Sequence, residues 1–141
     1  MAAISAIAEY PGRVEEMFVN TELSDVGIYA VKQYLLGVPF TQIVDDYLPV
    51  TDSGSTIFGG FGKDGSVWGP IVEKAFAKRY GNWQRINRGW MSAAVTTMNG
   101  SPSKDYHHDL LDADEIWRVI STHDVTRDVM TAASPNCGDD S

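Results

Sequence analysis

The chain changes texture abruptly at residue 66, and this change limits what it can fold into. Residues 51–65, TDSGSTIFGGFGKDG, carry five glycines, two aspartates and several small polar residues. Such a stretch reads as loop. Residues 66–86, SVWGPIVEKAFAKRYGNWQRI, follow at once. Pro70 suits the first turn of a helix, where its missing N–H costs nothing. Ile71, Val72, Ala75, Phe76 and Tyr80 recur at helical spacing and make one apolar face. Glu73, Lys74, Lys78 and Arg79 fall mostly outside that face, and Gly81 suits the C-terminal cap. The sequence therefore predicts an amphipathic helix over 70–80.

The other segments are read around this helix. Residues 2–8, AAISAIA, are apolar all round, the pattern of a buried helix. No capping residue precedes them, as in a helix joined partway along. Pro11 ends that run, and residues 13–18 make a second short helical segment. Residues 26–46 read as two strands joined by a turn at Gly37-Val38-Pro39, the second running over 40–44 and ending at Asp45-Asp46. A short helix is expected within 87–97, and a turn at Asn99-Gly100-Ser101-Pro102. Residues 109–123 read as an amphipathic helix with Asp112 and Asp114 in its first turn. Residues 128–133, DVMTAA, have the look of a buried strand, and 134–141 of a loop. No internal repeat is present. Helices, then a hairpin, then more helices and a strand define an α+β arrangement, mainly helical with a short antiparallel strand pair.

A length of 141 residues is that of one domain. The net charge of −8 opposes a nucleic-acid partner, since phosphate backbones want clustered Lys and Arg. The single cysteine, Cys137, allows no intrachain disulfide, which fits a reducing compartment. No run approaches the roughly 20 apolar residues of a membrane helix. The N-terminus lacks the basic flank of a signal peptide. The expected location is the cytoplasm, with a cytoskeletal or ciliary association as its narrower form.

Few residues offer chemistry. Asp45 and Asp46 are neighbours in a strand, point to opposite faces and so do not readily share one metal ion. His107-His108 lack further ligands at zinc spacing, and read as an exposed loop pair. His123 with Cys137 would need the ring oriented within hydrogen-bond reach of the sulfur. His123 instead suits the end of a helix, where the dipole favours it. Asp139-Asp140 and the aspartates of 51–65 are oxygen donors without EF-hand spacing. Trp68, Trp83 and Trp90 flank the 70–80 helix. They fit a core cluster or the wall of a peptide cleft, and the pattern leaves both open. No catalytic or metal-ligating residue follows from spacing.

The segment VWGPIVEKAFAKRYGNWQRI resembles the protease domain of calpains, papain-like cysteine proteases. The family pattern is met by Trp68, Glu73, Lys74, Ala75, Phe76, Ala77, Lys78, Gly81 and Trp83. AAISAIAEYP resembles the helix that begins at the family's catalytic cysteine. VGIYAVKQYLLGVPFTQIVDDYLPV resembles its strand pair, with the Val-Asp-Asp-aromatic-Leu-Pro ending. The match runs from about residue 1 to 133, and the Glu-Lys-Ala and Asp-Asp-Tyr-Leu-Pro stretches make it specific.

The resemblance implies a partial protease domain over 1–141, lying between the catalytic Cys and His. In papain-like enzymes these lie roughly 130–150 residues apart. The family's Cys-Trp pair falls ahead of residue 1, and its Gly-His-Ala-Tyr motif and Asn after residue 141. The implied function is part of a cysteine endopeptidase domain, inactive by itself. The alternative is a non-catalytic structural or interaction module of a larger assembly. The implied partners are a protein or peptide substrate, or neighbouring proteins of that assembly. The family's substrate-binding Gly-Gly pair falls on Arg88-Gly89, which leaves Gly89 as the expected substrate contact. The acidic calcium ligand of the calcium-regulated members falls on Ser66, so no cofactor is expected to bind this chain.

Overall fold

The computed structural model describes residues 2–86, 89–107 and 109–124. Its centre is a hairpin. Strand β1, Ile28–Leu35, pairs antiparallel with β2, Val38–Asp45, in the register Leu35 opposite Val38 to Ile28 opposite Asp45. The turn is Leu36-Gly37, not Gly37-Val38-Pro39, and both residues have positive φ, 50° and 79°. That is the turn whose twist matches the strands, so it fixes the register. Val38 and Pro39 therefore belong to β2. Pro39 pairs with Tyr34, one place along from the turn-closing pair of Leu35 and Val38. Its nitrogen faces away from β1, so no ladder bond is lost.

The described residues also form five α-helices: α1, Ala2–Ala8; α2, Pro11–Glu16; α3, Trp68–Tyr80; α4, Met91–Asn99; and α5, Ala113–Ser121; of these α3 and α4 pack on the hairpin. Pro11 ends the first run by starting the second, as the first residue of α2. A third short strand-like segment follows. Val19 N–H donates to Ala30 O at 3.0 Å, and Lys32 N–H to Met17 O at 2.7 Å, along the outer edge of β1. α4 begins later than the sequence predicts, at Met91, and ends on Gly100. α5 is shorter than predicted. Asp112 caps it by accepting from Glu115 N–H at 2.8 Å, while Asp112 N–H donates back to the Glu115 carboxylate. Leu110 and Leu111 therefore precede the helix and do not share its apolar face. The predicted strand at 128–133 lies outside the described residues. The α+β class and the helix-rich packing around one antiparallel pair agree with the sequence reading.

The core joins Ile4 and Ile7 of α1, Val31 and Val44 of the hairpin, Ile71, Val72 and Ala75 of α3, and Met98 of α4. α1 is thus seated in the core by Ala3, Ile4 and Ile7, while Ser5 on its other side is exposed, so the helix is buried on one face rather than all round. Trp68 and Phe76 are half-buried against this core rather than enclosed by it. Gln33 is the polar exception. It is fully buried, and both its amide atoms lack a hydrogen-bond partner among the described residues. Each such group costs roughly 1–3 kcal/mol, which the surrounding packing must offset.

Gly100 closes α4 in the left-handed region, φ 73°, with its N–H donating to Thr96 O. A β-carbon there would lie 2.6 Å from the Tyr34 ring. We expect Gly100→Ala to lower stability by roughly 1–3 kcal/mol, from the strained φ and the displaced ring. Gly12→Ala, in α2 with open space around it, should be neutral or stabilising by up to about 1 kcal/mol. Urea unfolding of both variants checks the contrast, and equal effects would contradict it.

Candidate functional site

The glycine-rich loop has no regular structure of its own, so its position comes from what it touches. It runs back along α3. Phe58 stacks on Trp83 just beyond the helix, with ring centroids 4.6 Å apart and planes within 9°. Gly59 N–H donates to the Glu73 carboxylate at 2.7 Å. Glu73 is only 8% exposed, so this charge-assisted bond works in a dry setting. The sequence places Glu73 outside the apolar face. The structure buries it, because the loop covers that side of α3.

The loop then folds on itself. Gly62 N–H donates to Ser66 O at 2.9 Å, and Ser66 N–H donates to Asp64 Oδ1 at 3.0 Å. The Ser66 hydroxyl and N–H together hold the Asp64 carboxyl below the usual aspartate range. Gly60, Gly62 and Ser66 then face Ile4, Ser5 and Ala8 of α1, with Trp68 and Gly69 at the start of α3. Between them is an open, largely apolar pocket of about 800 Å³. Its walls are mostly glycine, alanine and serine, so main chain lies close to the surface.

On the other side, α3 holds the hairpin. Lys74 Nζ bonds to the Asp45 carboxylate and to Tyr47 O. The Lys74 bond, and then the Tyr47 N–H at 2.9 Å, lower the Asp45 pKa. This ion pair ties the end of β2 to the middle of α3. Asp45 is therefore a structural anchor. Lys78 Nζ donates to Ile43 O at 2.8 Å, one turn further along.

The expected substrate contact, Gly89, lies in an exposed segment just ahead of α4, and a β-carbon on it would meet nothing within 4 Å. Gly89 is not among the residues lining the α1 pocket. The next residue, Trp90, lines a second pocket between the hairpin tip and α4. The three tryptophans do not cluster. Trp68 packs on the core, Trp83 stacks on Phe58, and Trp90 meets His107 edge-on at 5.8 Å. His123 Nδ1 lies 2.6 Å from Val119 O, within its own helical turn. Arg88, His108, Cys137, Asp139 and Asp140 lie outside the described residues. Among the described residues, no three His, Cys, Asp or Glu side chains gather where a metal ion could be held, and no helix is long and apolar enough to cross a membrane. The Glu73 tether could have been suspected only from a charged residue next to an apolar run. The second pocket left no local signal.

A helix seated in the core by one face, a hairpin ending in two aspartates and a charged helix bonded to both the hairpin and the glycine loop make up an α+β core. The family profile described as calpain family cysteine protease matches residues 1–140, and the chain belongs to that family. It is 28% identical to the calpain-type cysteine protease DEK1 of Zea mays over 105 residues, which are 74% of this chain and 5% of the maize protein. It is 28% identical to calpain-5 of Caenorhabditis elegans over 88 residues, 62% of this chain and 13% of that protein. It is 36% identical to calpain-7 of Mus musculus over 62 residues, 44% of this chain and 8% of that protein. The chain thus spans a small part of the length of the curated relatives it matches.

Glu73→Ala should remove the acceptor of Gly59 N–H and cost roughly 1–3 kcal/mol, the penalty of an unsatisfied buried donor. The Gly59 amide should exchange faster with solvent, and Glu73→Gln should restore most of its protection. Hydrogen exchange by NMR reads this directly. Unchanged Gly59 protection in Glu73→Ala would show that the loop is held by other contacts.

Proposed function

We propose that residues 1–141 form one part of a papain-like cysteine endopeptidase domain, and that the part is inactive by itself. The observation that carries this reading is the seating of α1. One face of this helix is seated in the core, and its accessible side, with the glycine loop, lines the apolar pocket. Family membership supplies the chemistry. A thiolate attacks the peptide carbonyl. A histidine takes the thiol proton and later returns it to the leaving amine, and an asparagine orients the imidazole.

In this reading the three groups come from sequence outside 1–141. Cys137, the only cysteine, stands in the polar run SPNCGDDS. His123 is engaged with its own helix, and His107 with Trp90. The chain supplies cleft wall and scaffold. Gly89, open to solvent, is the expected contact for substrate main chain. The proposed partners are unfolded or extended polypeptides, not nucleic acid or membrane. The proposed location is the cytoplasm, with cytoskeletal or ciliary association as a narrower form. The second reading is a non-catalytic module of a larger assembly, favoured by Arg88 at the position where the family pattern has glycine.

Purified chain incubated with an unfolded protein substrate should give no cleavage above background, and Cys137→Ala should change nothing. Cleavage abolished by Cys137→Ala would overturn the assignment. Activity gained on joining segments that carry the family's Cys and His would favour the endopeptidase. Continued inactivity would favour the structural module.

Calcium does not fit the loop at Ser66. A hard cation wants several charged oxygens. The one carboxylate there, Asp64, already accepts from Ser66, and Ser66 O accepts from Gly62. Calorimetric titration of the chain should show weak calcium binding or none. Tight, stoichiometric uptake would refute this.

A further inference from the structure

We propose that the pocket between the hairpin tip and α4 is a docking site for an acidic, apolar segment of a partner protein. It goes beyond the protease reading and holds with or without catalysis. The pocket is about 550 Å³ and shares no lining residue with the α1 pocket. Three observations define its ligand.

The first is the rim. Leu36 is 94% exposed and Trp90 64% exposed, and both line the pocket with Leu35. Leu36 occupies the first turn position at φ 50°. Asn, Asp or Gly would fill that position at lower cost. A strained leucine displayed at a pocket mouth points to a contact made there.

The second is charge. The half-buried Arg79 lines the pocket and makes no ion pair among the described residues. Its guanidinium lies 5.6 Å from the Tyr80 ring centre and 5.9 Å from that of Phe40. Among the described residues that line the pocket, Arg79 is the one permanent cation and Asp105 the one carboxylate, and the two form no ion pair. A guanidinium in no ion pair is ready to take a carboxylate in a two-pronged bond.

The third is the state of the hydroxyls. Thr96 and Ser103 bond to each other at 2.7 Å, and Tyr80 and Thr97 at 3.3 Å. These groups satisfy one another, which disfavours a polyhydroxylated ligand. The chemistry left on offer is an aromatic face, aliphatic rim and one cation. Aromatic and arginine anchors of this kind dominate peptide docking. The net negative charge argues against nucleic acid.

The test is fluorescence anisotropy of the full chain with a labelled peptide of alternating glutamate and leucine. A lysine-leucine version is the control. The acidic peptide should bind saturably and the basic one should not. Arg79→Glu and Trp90→Ala should each weaken binding about fivefold or more. Arg79→Glu should also gain affinity for the lysine peptide. Lys63→Glu, in the glycine loop, should have little effect. Leu36→Asn is the discriminating variant. It relieves the turn, so the protein should be as stable or more stable, yet should bind more weakly. The proposal is overturned if Leu36→Asn and Arg79→Glu bind like the wild type. It is also overturned if no saturable binding occurs at millimolar peptide, or if both peptides bind alike. Self-association of the chain that Arg79→Glu abolishes would assign the pocket to a second copy instead, and would likewise overturn it.

Discussion

Glu73 and Lys74 are neighbours in the middle of α3, and they reach in different directions. Successive residues of a helix point about 100° apart. Glu73 therefore meets the glycine loop, while Lys74 meets the end of β2. Each replaces water around a charge with a fixed hydrogen bond to main chain or carboxylate. A fifteen-residue loop with five glycines has little reason to adopt one path. Its path follows from the Glu73 bond at its middle and from Phe58 stacked on Trp83. The shape of the α1 pocket follows in turn, because the same loop forms one wall. Segments with few buried apolar contacts open readily unless tied in this way.

A two-stranded hairpin is marginal alone and exposes two unpaired edges. Both edges here are managed. Met17 to Val19 pair with the outer edge of β1. On β2, Pro39 removes one outward N–H, and Lys78 occupies the outward carbonyl of Ile43. The lysines of α3 therefore fix the hairpin to the helix and also deny its edge to another chain. One element thus carries the sheet, the loop and the protection of the strand edge.

Much of this was legible in the residues. Pro70 and Gly81 mark the two ends of α3, Pro11 separates α1 from α2, and the apolar residues of α1 predict the burial that Ile4 and Ile7 show, though Ser5 is exposed. The two stretches that make the family resemblance specific, Glu73-Lys74-Ala75 and Asp45-Asp46-Tyr47-Leu48-Pro49, turn out to be in contact. Lys74 bonds to Asp45 and to Tyr47 O. The rest was hidden for definite reasons. A leucine at positive φ in the turn defeats residue preference, so the hairpin turn is read one place late. Glu73 looks solvated because its acceptor role depends on a glycine 14 residues away. The stacking of Phe58 on Trp83 joins two rings 25 positions apart, beyond any local period. Gly89 could be placed only through the family pattern, since nothing in its own neighbourhood distinguishes it.

The two pockets differ in what they present, and the difference follows from side-chain size. Glycine, alanine and serine line most of the α1 pocket, which brings backbone close to any chain lying in it. The pocket beside α4 has leucine, tryptophan, tyrosine and arginine alongside small and hydroxyl residues, and the large side chains bring shape and charge. Peptide recognition divides along the same line. Main-chain contacts accept almost any sequence, whereas side-chain pockets select among them. On the endopeptidase reading proposed above, the first kind suits a wall near the chemistry, where bulky side chains would exclude substrates. Discrimination among partners then has to come from a surface away from that wall. A chain with both kinds of pocket on one scaffold can separate the two tasks, and a substitution in one need not disturb the other.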